Sequence, residues 1–349
     1  MGLLLIISDS KKRITIKDVA QVAGVSTQTV SRVMNKHSYV SGKTRQHVEE
    51  AVQKLGYRPS ALARSLIQQR SYTLGIVTYG LKYIGPSRTL NGIADKADEI
   101  GNMLLMKELD NFNISRIENV IDSLLARQVD GIIWLAPEID DNHAWVEERM
   151  SKIRVPVLFT AMKPREGIPS VVTNNFQGAA IATQHLLDCG RKMIAHISGP
   201  RGWWEAEERK RGWCETLNAA GFDVSEQCCV EGNWSSISGE QAFIKLLELF
   251  PNLDAVFVGN DQMALGVLRE AHRRGIAVPK QLAVIGFDNI PESAYFYPAL
   301  TTISQDLQLL GEWAVQNVVE MIQAGQENRP VIAESKFIQP TLIVRESSK

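Results

Sequence analysis

Hydrophobic positions near the start of the chain repeat at helical spacing. In "ITIKDVAQVAGVS", Ile16, Val19, Ala20 and Ala23 recur at i, i+3, i+4 and i+7, which predicts a short amphipathic helix. Thr15 can cap its start, and Asp18 falls in the first turn, where the helix dipole favours a negative charge. Gly24 permits the left-handed backbone of a tight turn, and Ser26 is a natural N-cap for a second helix. That helix, "STQTVSRVMN", buries Val30, Val33 and Met34. A third follows in "VSGKTRQHVEEAVQKLG": Ser41 caps it, Val48, Ala51, Val52 and Leu55 face inward, and Gly56 ends it. From Thr73 the pattern changes to short β-branched runs separated by helical stretches: "TLGIVTYG", "NMLLMKEL", "DGIIWLAP", "VPVLFTA", "PSVVTNN", "KMIAHISGP", "DAVFVGND", "LAVIGFDN" and "TTISQD". Apolar runs of that length between helices predict parallel α/β layers, and their number over such a length suggests two lobes.

The second helix leaves an unusual outer face. Thr27 and Ser31 stack at i, i+4, as do Gln28 and Arg32, where a solvated helix usually carries Glu and Lys. Helix, three-residue turn with Gly, helix is the helix-turn-helix arrangement, whose second helix can enter the major groove. Gln suits adenine and Arg guanine, so Thr27, Gln28 and Arg32 are candidates for contacting base edges. Thr29, Ser31, Asn35, Thr44 and Arg45 are candidates for the DNA backbone, where contacts position without specifying. A three-helix protein-interaction module with a solvated polar face is the alternative.

Charge changes that balance. The net charge of the 349-residue chain is only -1, but residues 1–70 hold twelve basic side chains against four acidic ones, a surplus of eight. The remaining 279 residues carry 26 basic and 35 acidic side chains, a deficit of nine. A basic module joined to an acidic body is the pattern of a nucleic-acid reader with a second function. Composition is that of a globular protein, 44% hydrophobic and 22% charged. Cys189, Cys214, Cys228 and Cys229 form no CxxC pair and have no His at metal spacing, which fits buried thiols in reduced cytosol rather than a disulfide or metal site. No run approaches a membrane span, and "MGLLLIISDSKK" lacks the features of a secretion signal; residues 1–12 read as a loose tail. No GxGxxG follows a strand, no GxxxxGK[ST] and no GxSxG occurs, and the six His are scattered. Catalysis, cofactor and metal therefore have no motif support.

The segment "TIKDVAQVAGVSTQTVSRVMN…VSGKTRQHVEEAVQKLGYRPSALARSL" resembles the headpiece of the lac repressor/galactose repressor family of bacterial transcription regulators, and the similarity runs from about Thr15 almost to the C-terminus. It implies an all-α helix-turn-helix headpiece over 13–58, a hinge helix and linker over 59–71, and a core over 72–346. That core is α/β, two-lobed and periplasmic-binding-protein-like, with parallel sheets flanked by helices; its lobes are about 72–173 with 307–331, and 174–306 with 332–346. In the hinge "PSALARSL", Pro59 fits a first helical position, but so short a helix needs DNA or a dimer partner to be ordered. By resemblance Leu66 is a minor-groove wedge with Ala63 beside it; packing of Leu66 on the body is the other reading.

"NWSSISG", "GNDQMALG", "IGFDN" and "YPALTTISQDLQLLGE" resemble the lac repressor side of the family most. The resemblance implies a sugar effector held by Arg209, Trp234, Asn260, Asp288 and Gln305, with Tyr79 and Tyr83 at positions where the family pattern is smaller or aliphatic. Asp, Asn and Arg suit paired hydroxyls, and an indole offers a flat apolar face. Each has another reading: Asp288 as a helix cap near Pro291, Asn260 as a turn former, Arg209 as the i, i+4 partner of Glu205, Trp234 as core. The chain also departs from the pattern, since Ala161 in "LFTAM" replaces an aspartate and Trp203 and Trp204 add aromatic surface. Less carboxylate and more aromatic area argue for a different or larger glycoside, with β-galactoside the single choice; the Trp pair can equally be an interface. The whole predicts a cytoplasmic, nucleoid-associated repressor, not an enzyme, with no cofactor. It would be a homodimer, since no leucine-heptad tail follows "PTLIVRESSK", and would read a pseudo-palindromic double-stranded operator. A transport-type sugar-binding protein and a glycoside-processing enzyme are the rival classes.

Overall fold

The protein is described by a computed structural model over residues 14–34, 39–57, 70–139, 142–330 and 333–349. Asn35, Ala63, Leu66 and the residue 1–12 tail lie outside the described residues. The chain divides into two compact units, Met1–Ser71 and Tyr72–Lys349.

The first unit holds α1 (Ile16–Ala23), α2 (Thr27–Met34) and α3 (Gly42–Leu55). Thr15 is the N-cap, and Asp18 reaches back to accept from the Thr15 backbone N–H and hydroxyl, both at 2.7 Å, closing a capping box. Gly24 is left-handed at φ 67, and the turn delivers Ser26, whose hydroxyl accepts from the Thr29 N–H at 3.1 Å and starts α2. Ser41 does the same for α3 through the Thr44 N–H at 3.3 Å. Val19, Ala20, Val30, Val33, Val48 and Ala51 form the small core where the three helices meet.

The second unit is built on two six-stranded sheets. Strands β1 (Thr73–Tyr79), β2 (Met103–Leu109), β3 (Gly131–Leu135), β4 (Val157–Phe159), β5 (Ser170–Thr173) and β11 (Ser335–Ile338) make the first, in the order β11-β5-β4-β3-β1-β2, all parallel. The second has the order β12-β10-β9-β8-β6-β7: β6 (Ile194–Ser198), β7 (Cys229–Glu231), β8 (Ala255–Val258), β9 (Ala283–Asp288), β10 (Thr301–Ser304) and β12 (Thr341–Ile343), of which only β12 runs antiparallel. Helices α4 (Ile84–Glu99), α5 (Ile114–Leu125), α6 (Ala144–Arg149) and α11 (Leu307–Gln326) serve the first sheet; α7 (Asn175–Asp188), α8 (Trp204–Ala219), α9 (Ser236–Leu249) and α10 (Asp261–Arg273) serve the second. Alternate strand residues bury on opposite sides: Ile133 and Leu135 pack with Ala314 and Val318, while Ile132 and Trp134 pack with Ile117 and Leu124. Helices on both faces explain why these strands read as continuous apolar runs.

Two expected boundaries move. β11 hydrogen-bonds in register with β5, so 335–338 belong to the first lobe, and the last crossing falls at 339–340 rather than at 332. The core also continues past 346. Ser347 is fully buried, donating to the Val284 carbonyl at 2.6 Å, and Ser348 bonds His185 at 2.9 Å. Three chain crossings therefore join the lobes, and the carboxyl ends of both parallel sheets face a shared cleft.

Candidate functional site

On α2, Thr27, Gln28 and Arg32 are exposed side by side, one turn apart along the outer face. Thr29, Ser31, Thr44 and Arg45 are half-buried beside them. The Thr29 hydroxyl is already engaged with Ser26, and that of Thr44 with Ser41, both at 2.9 Å. The apolar half of α2 is anchored in the core, so its polar half is presented on a fixed backbone.

The cleft of the second unit encloses about 780 Å³ of empty space including its mouth. Its polar wall is made where strands of the second sheet end. Arg209, from α8, lies 3.8 Å above the Phe287 ring and donates from Nε to the Asn175 side-chain oxygen at 2.8 Å and from Nη1 to the Gly259 carbonyl at 2.5 Å. The Asp288 carboxylate stands 3.9 Å from the same Nη1 and accepts a hydrogen bond from the Gln305 amide. Arg209 thus turns to the β8 and β9 ends, not to Glu205 one helical turn away. Asp288 caps nothing; it closes β9 with φ 113, and the turn after it starts behind Ile290 without a side-chain cap. Asn260 has both roles the sequence allowed: its oxygen caps α10 through the Met263 N–H at 2.8 Å, and its amide donates to the Trp234 carbonyl at 3.1 Å. The Trp234 indole lies so close on Gly199 that a Cβ there would meet the ring at 2.0 Å, which explains the glycine.

Burial dominates the electrostatics. It pushes the Asp288 carboxyl up to about 6, against the opposing pull of Arg209, Gln305 and Arg88. Burial lowers Arg209 in turn, against Asp288, Glu205 and Asp261. Glu205 is raised to about 7, again chiefly by burial. Among the described residues, buried polar atoms of Glu205 (Oε2), Trp234 (Nε1) and Thr173 (Oγ1) have no hydrogen-bond partner, and all three residues line this cleft. Such atoms suit a polyhydroxylated ligand, since each unmet group costs free energy until paired.

The opposite wall is apolar and aromatic. Tyr83, Leu135, Ala161, Leu307 and Leu310 line it, and Trp203 and Trp204 at the start of α8 add aromatic surface from the second lobe. The Trp203 ring lies 5.9 Å from Tyr83 and 5.9 Å from Trp234, so the Trp pair faces the cleft. Tyr79 does not reach the lining; it packs on Phe112 at 4.7 Å and stands behind Trp203 at 6.2 Å. At the rim, Ile139 and Trp203 form a β-bridge, and the Trp204 N–H donates to the Glu138 carbonyl at 3.1 Å. Arg165 grips the Glu138 carboxylate bidentately at 2.7 and 2.8 Å, and the Lys163 N–H adds a third bond.

Of the residues the sequence offers for a ligand, Tyr83, Arg209, Trp234, Asn260, Asp288 and Gln305 line this one cleft. Sequence reasoning passed over Asn175 and Asp261, although both stand in the "NN" and "GND" clusters at strand ends. Asp261, fully buried, accepts from the Ile290 N–H at 2.9 Å and from the Thr302 hydroxyl at 2.5 Å, fixing the loop that carries Asp288. Glu205 was noticed only as a helix partner.

A helix-turn-helix unit joined to a two-lobed receptor body defines a DNA-binding regulator rather than an enzyme. Residues 15–60 match the family of bacterial regulatory proteins, lacI family, and residues 183–348 match a periplasmic binding protein-like domain. The chain is 34% identical over 313 residues to the lactose operon repressor of Escherichia coli (strain K12), covering 89% of this chain and 86% of that one. The chain belongs to the lacI family of bacterial regulatory proteins. Its fold matches the lac repressor dimer bound to operator and the anti-inducer ONPF, with a TM-score of 0.87 at 32% identity over 97% and 99% of the two chains. It also matches the transcriptional regulator CelR–cellobiose complex, with a TM-score of 0.70 at 29% identity over 96% and 100%. No helix among the described residues is long and apolar enough to cross a membrane.

Proposed function

We propose that the protein is a cytoplasmic homodimeric repressor of a sugar-utilisation operon, with operator affinity set by a glycoside, a β-galactoside or a related sugar, bound in the cleft. The observation that carries this reading is the cluster of Arg209, Asp288, Asn260 and Gln305, which offers planar two-point hydrogen bonding opposite an aromatic wall. A similar lac repressor bound to ONPF and a similar regulator bound to cellobiose support a glycoside. Ligand acts by binding two lobe arrangements unequally; equal affinity would shift nothing. The test is a gel shift with DNA from upstream of its gene, at stated salt, with and without a panel of glycosides. DNA binding that responds to none of them, in folded protein, rejects the effector assignment.

Base reading by α2 has its own test. Gln28→Ala is expected to weaken binding to the preferred operator by ~1–3 kcal/mol, about 5- to 150-fold, with little change on random DNA. Equal losses on both DNAs would remove Gln28 from the specificity face.

Dimerisation is supported by large apolar side chains on the outside of both lobes. Met103 and Met106 lie on the edge strand β2, and Leu265, Tyr295 and Tyr297 on the second lobe, with the two tyrosines 89% and 88% exposed. Leu265→Asp is expected to shift the protein from dimer to monomer in sedimentation and to weaken operator binding by well over about tenfold, because each half-site alone is held weakly. An intact dimer would take Leu265 out of the interface.

A further inference from the structure

We propose that Glu205 is the specificity-determining residue of an outer subsite, where its carboxyl takes hydroxyl groups of a second sugar ring laid against Trp203, Trp204 and Tyr83. The inference rests on the glycoside reading of the cleft and adds that the effector has two rings. Glu205 stands in the first turn of α8, beside Trp204 and one turn before Arg209, and lines the cleft with them. Its Oε2 is buried with no hydrogen-bond partner among the described residues. A carboxyl removed from water and left unmatched is unfavourable unless something else completes it.

Among the described residues the carboxyl takes a hydrogen bond from its own backbone N–H, and Oε2 takes none. Arg209 directs its donors to Asn175 and Gly259, with Asp288 as its near counter-charge. Ala161 on the opposite wall supplies no polar side chain, so the carboxyl that reads this end of the cleft comes from the second lobe. Around it, Trp203 bridges Tyr83 and Trp234 at 5.9 Å each, an aromatic floor for the C–H face of a pyranose. Stacking below and a planar acceptor at the edge is a combination that fits a sugar ring. A nitrophenyl aglycone would take the stacking but offers the carboxyl no hydrogen-bond donor.

The charged groups facing Glu205 are Arg209 from its own helix and Glu138 from the loop after β3, with the Glu138 carboxylate held by Arg165. Asp288 is the remaining charged group of the cleft lining. Burial outweighs Arg209 and places the Glu205 carboxyl near 7. Hydroxyl donors favour the ionised form, so sugar affinity should rise as pH climbs through that value.

Isothermal titration calorimetry on the full chain tests this with β-linked disaccharides, each paired with the methyl glycosides of its two rings. At least one disaccharide should bind about tenfold or more tighter than either methyl glycoside, and Glu205→Gln should reduce that advantage about tenfold. For the unaltered protein, disaccharide affinity should rise about fourfold from pH 6.5 to 8, and most of that rise should be lost in E205Q, leaving only the small part due to Asp288. Equal weakening of disaccharide and methyl glycosides by E205Q, no weakening at all, or a flat pH profile in the unaltered protein each overturns the outer subsite alone. Failure of every sugar to bind overturns the glycoside reading and the subsite with it.

Discussion

Asp288→Asn is expected to abolish the sugar response of operator binding while leaving the protein at least as stable at neutral pH. Two hydroxyls donated to a buried carboxylate contribute ~1.5–3 kcal/mol each, so affinity should fall by about 100-fold or more. The stability side follows from burial. With its carboxyl raised from 3.8 to about 6, Asp288 is a group whose contribution is favourable below the unfolded value and is lost as pH rises through about 6. At pH 7 the ionised side chain therefore lowers stability by about 3 kcal/mol relative to an unshifted carboxyl. Asn cannot ionise, and it accepts the positive φ of 113 more readily than Ala. Against this, Arg209 loses its counter-charge at 3.9 Å but keeps Asn175 and the Gly259 carbonyl. Thermal unfolding and a sugar titration decide the matter together. Normal sugar affinity in D288N would remove Asp288 from the site, whatever the melting temperature. In the unaltered protein, affinity should also weaken as pH falls through about 6, where Asp288 takes up its proton.

His196 should contribute a loss of stability in acid, opposite in sign to the gain at Asp288 and Glu205. The ring is fully buried on β6, stacked on Phe257 at 4.8 Å and near Trp213 at 5.5 Å. Its Nδ1 lies 2.9 Å from the Phe257 carbonyl, so Nδ1 carries the hydrogen and donates, and the neutral ring has no partner for Nε2. Burial depresses this histidine from 6.5 to about 3. The unfolded chain binds a proton below 6.5 that the folded chain refuses, so the contribution of this one residue declines from pH 6.5 down toward 3. By pH 4 the loss is about 3 kcal/mol. His196→Phe keeps a planar ring but loses the bond to Phe257. It should be about 1 kcal/mol less stable than the unaltered protein at pH 7.5 and more stable at pH 4. All seven tryptophans lie in the second unit, so urea unfolding followed by tryptophan fluorescence reads that unit alone. Parallel stability profiles for the two proteins would exonerate His196.

Local chemistry made much of this legible from residue order. Gly24, Ser26, Ser41 and Gly56 stand where the turn and caps are, because a cap depends on atoms only three residues away. The nine apolar runs are all strands, since a strand covered by helices on both faces must be apolar throughout. The missed strands β11 and β12 are three or four residues long and lie at sheet edges, where a partner's backbone defines them more than their own side chains do. For the same reason the second lobe was drawn from 332, although 335–338 pair with β5.

The cleft divides along the same line. The family resemblance collected Arg209, Asn260, Asp288 and Gln305, and parallel sheets bring the ends of β8, β9 and β10 to one edge beside Arg209 of α8. Their pairing came only with the fold. Helical spacing offers Arg209 the neighbouring Glu205, yet its counter-charge is Asp288 at the end of β9, and Tyr79 falls behind Trp203 instead of entering the cleft. Contacts between neighbours in the chain are written in spacing. Which carboxylate stays paired, and which is left buried and open to a ligand, depends on how two lobes joined by three crossings close on each other.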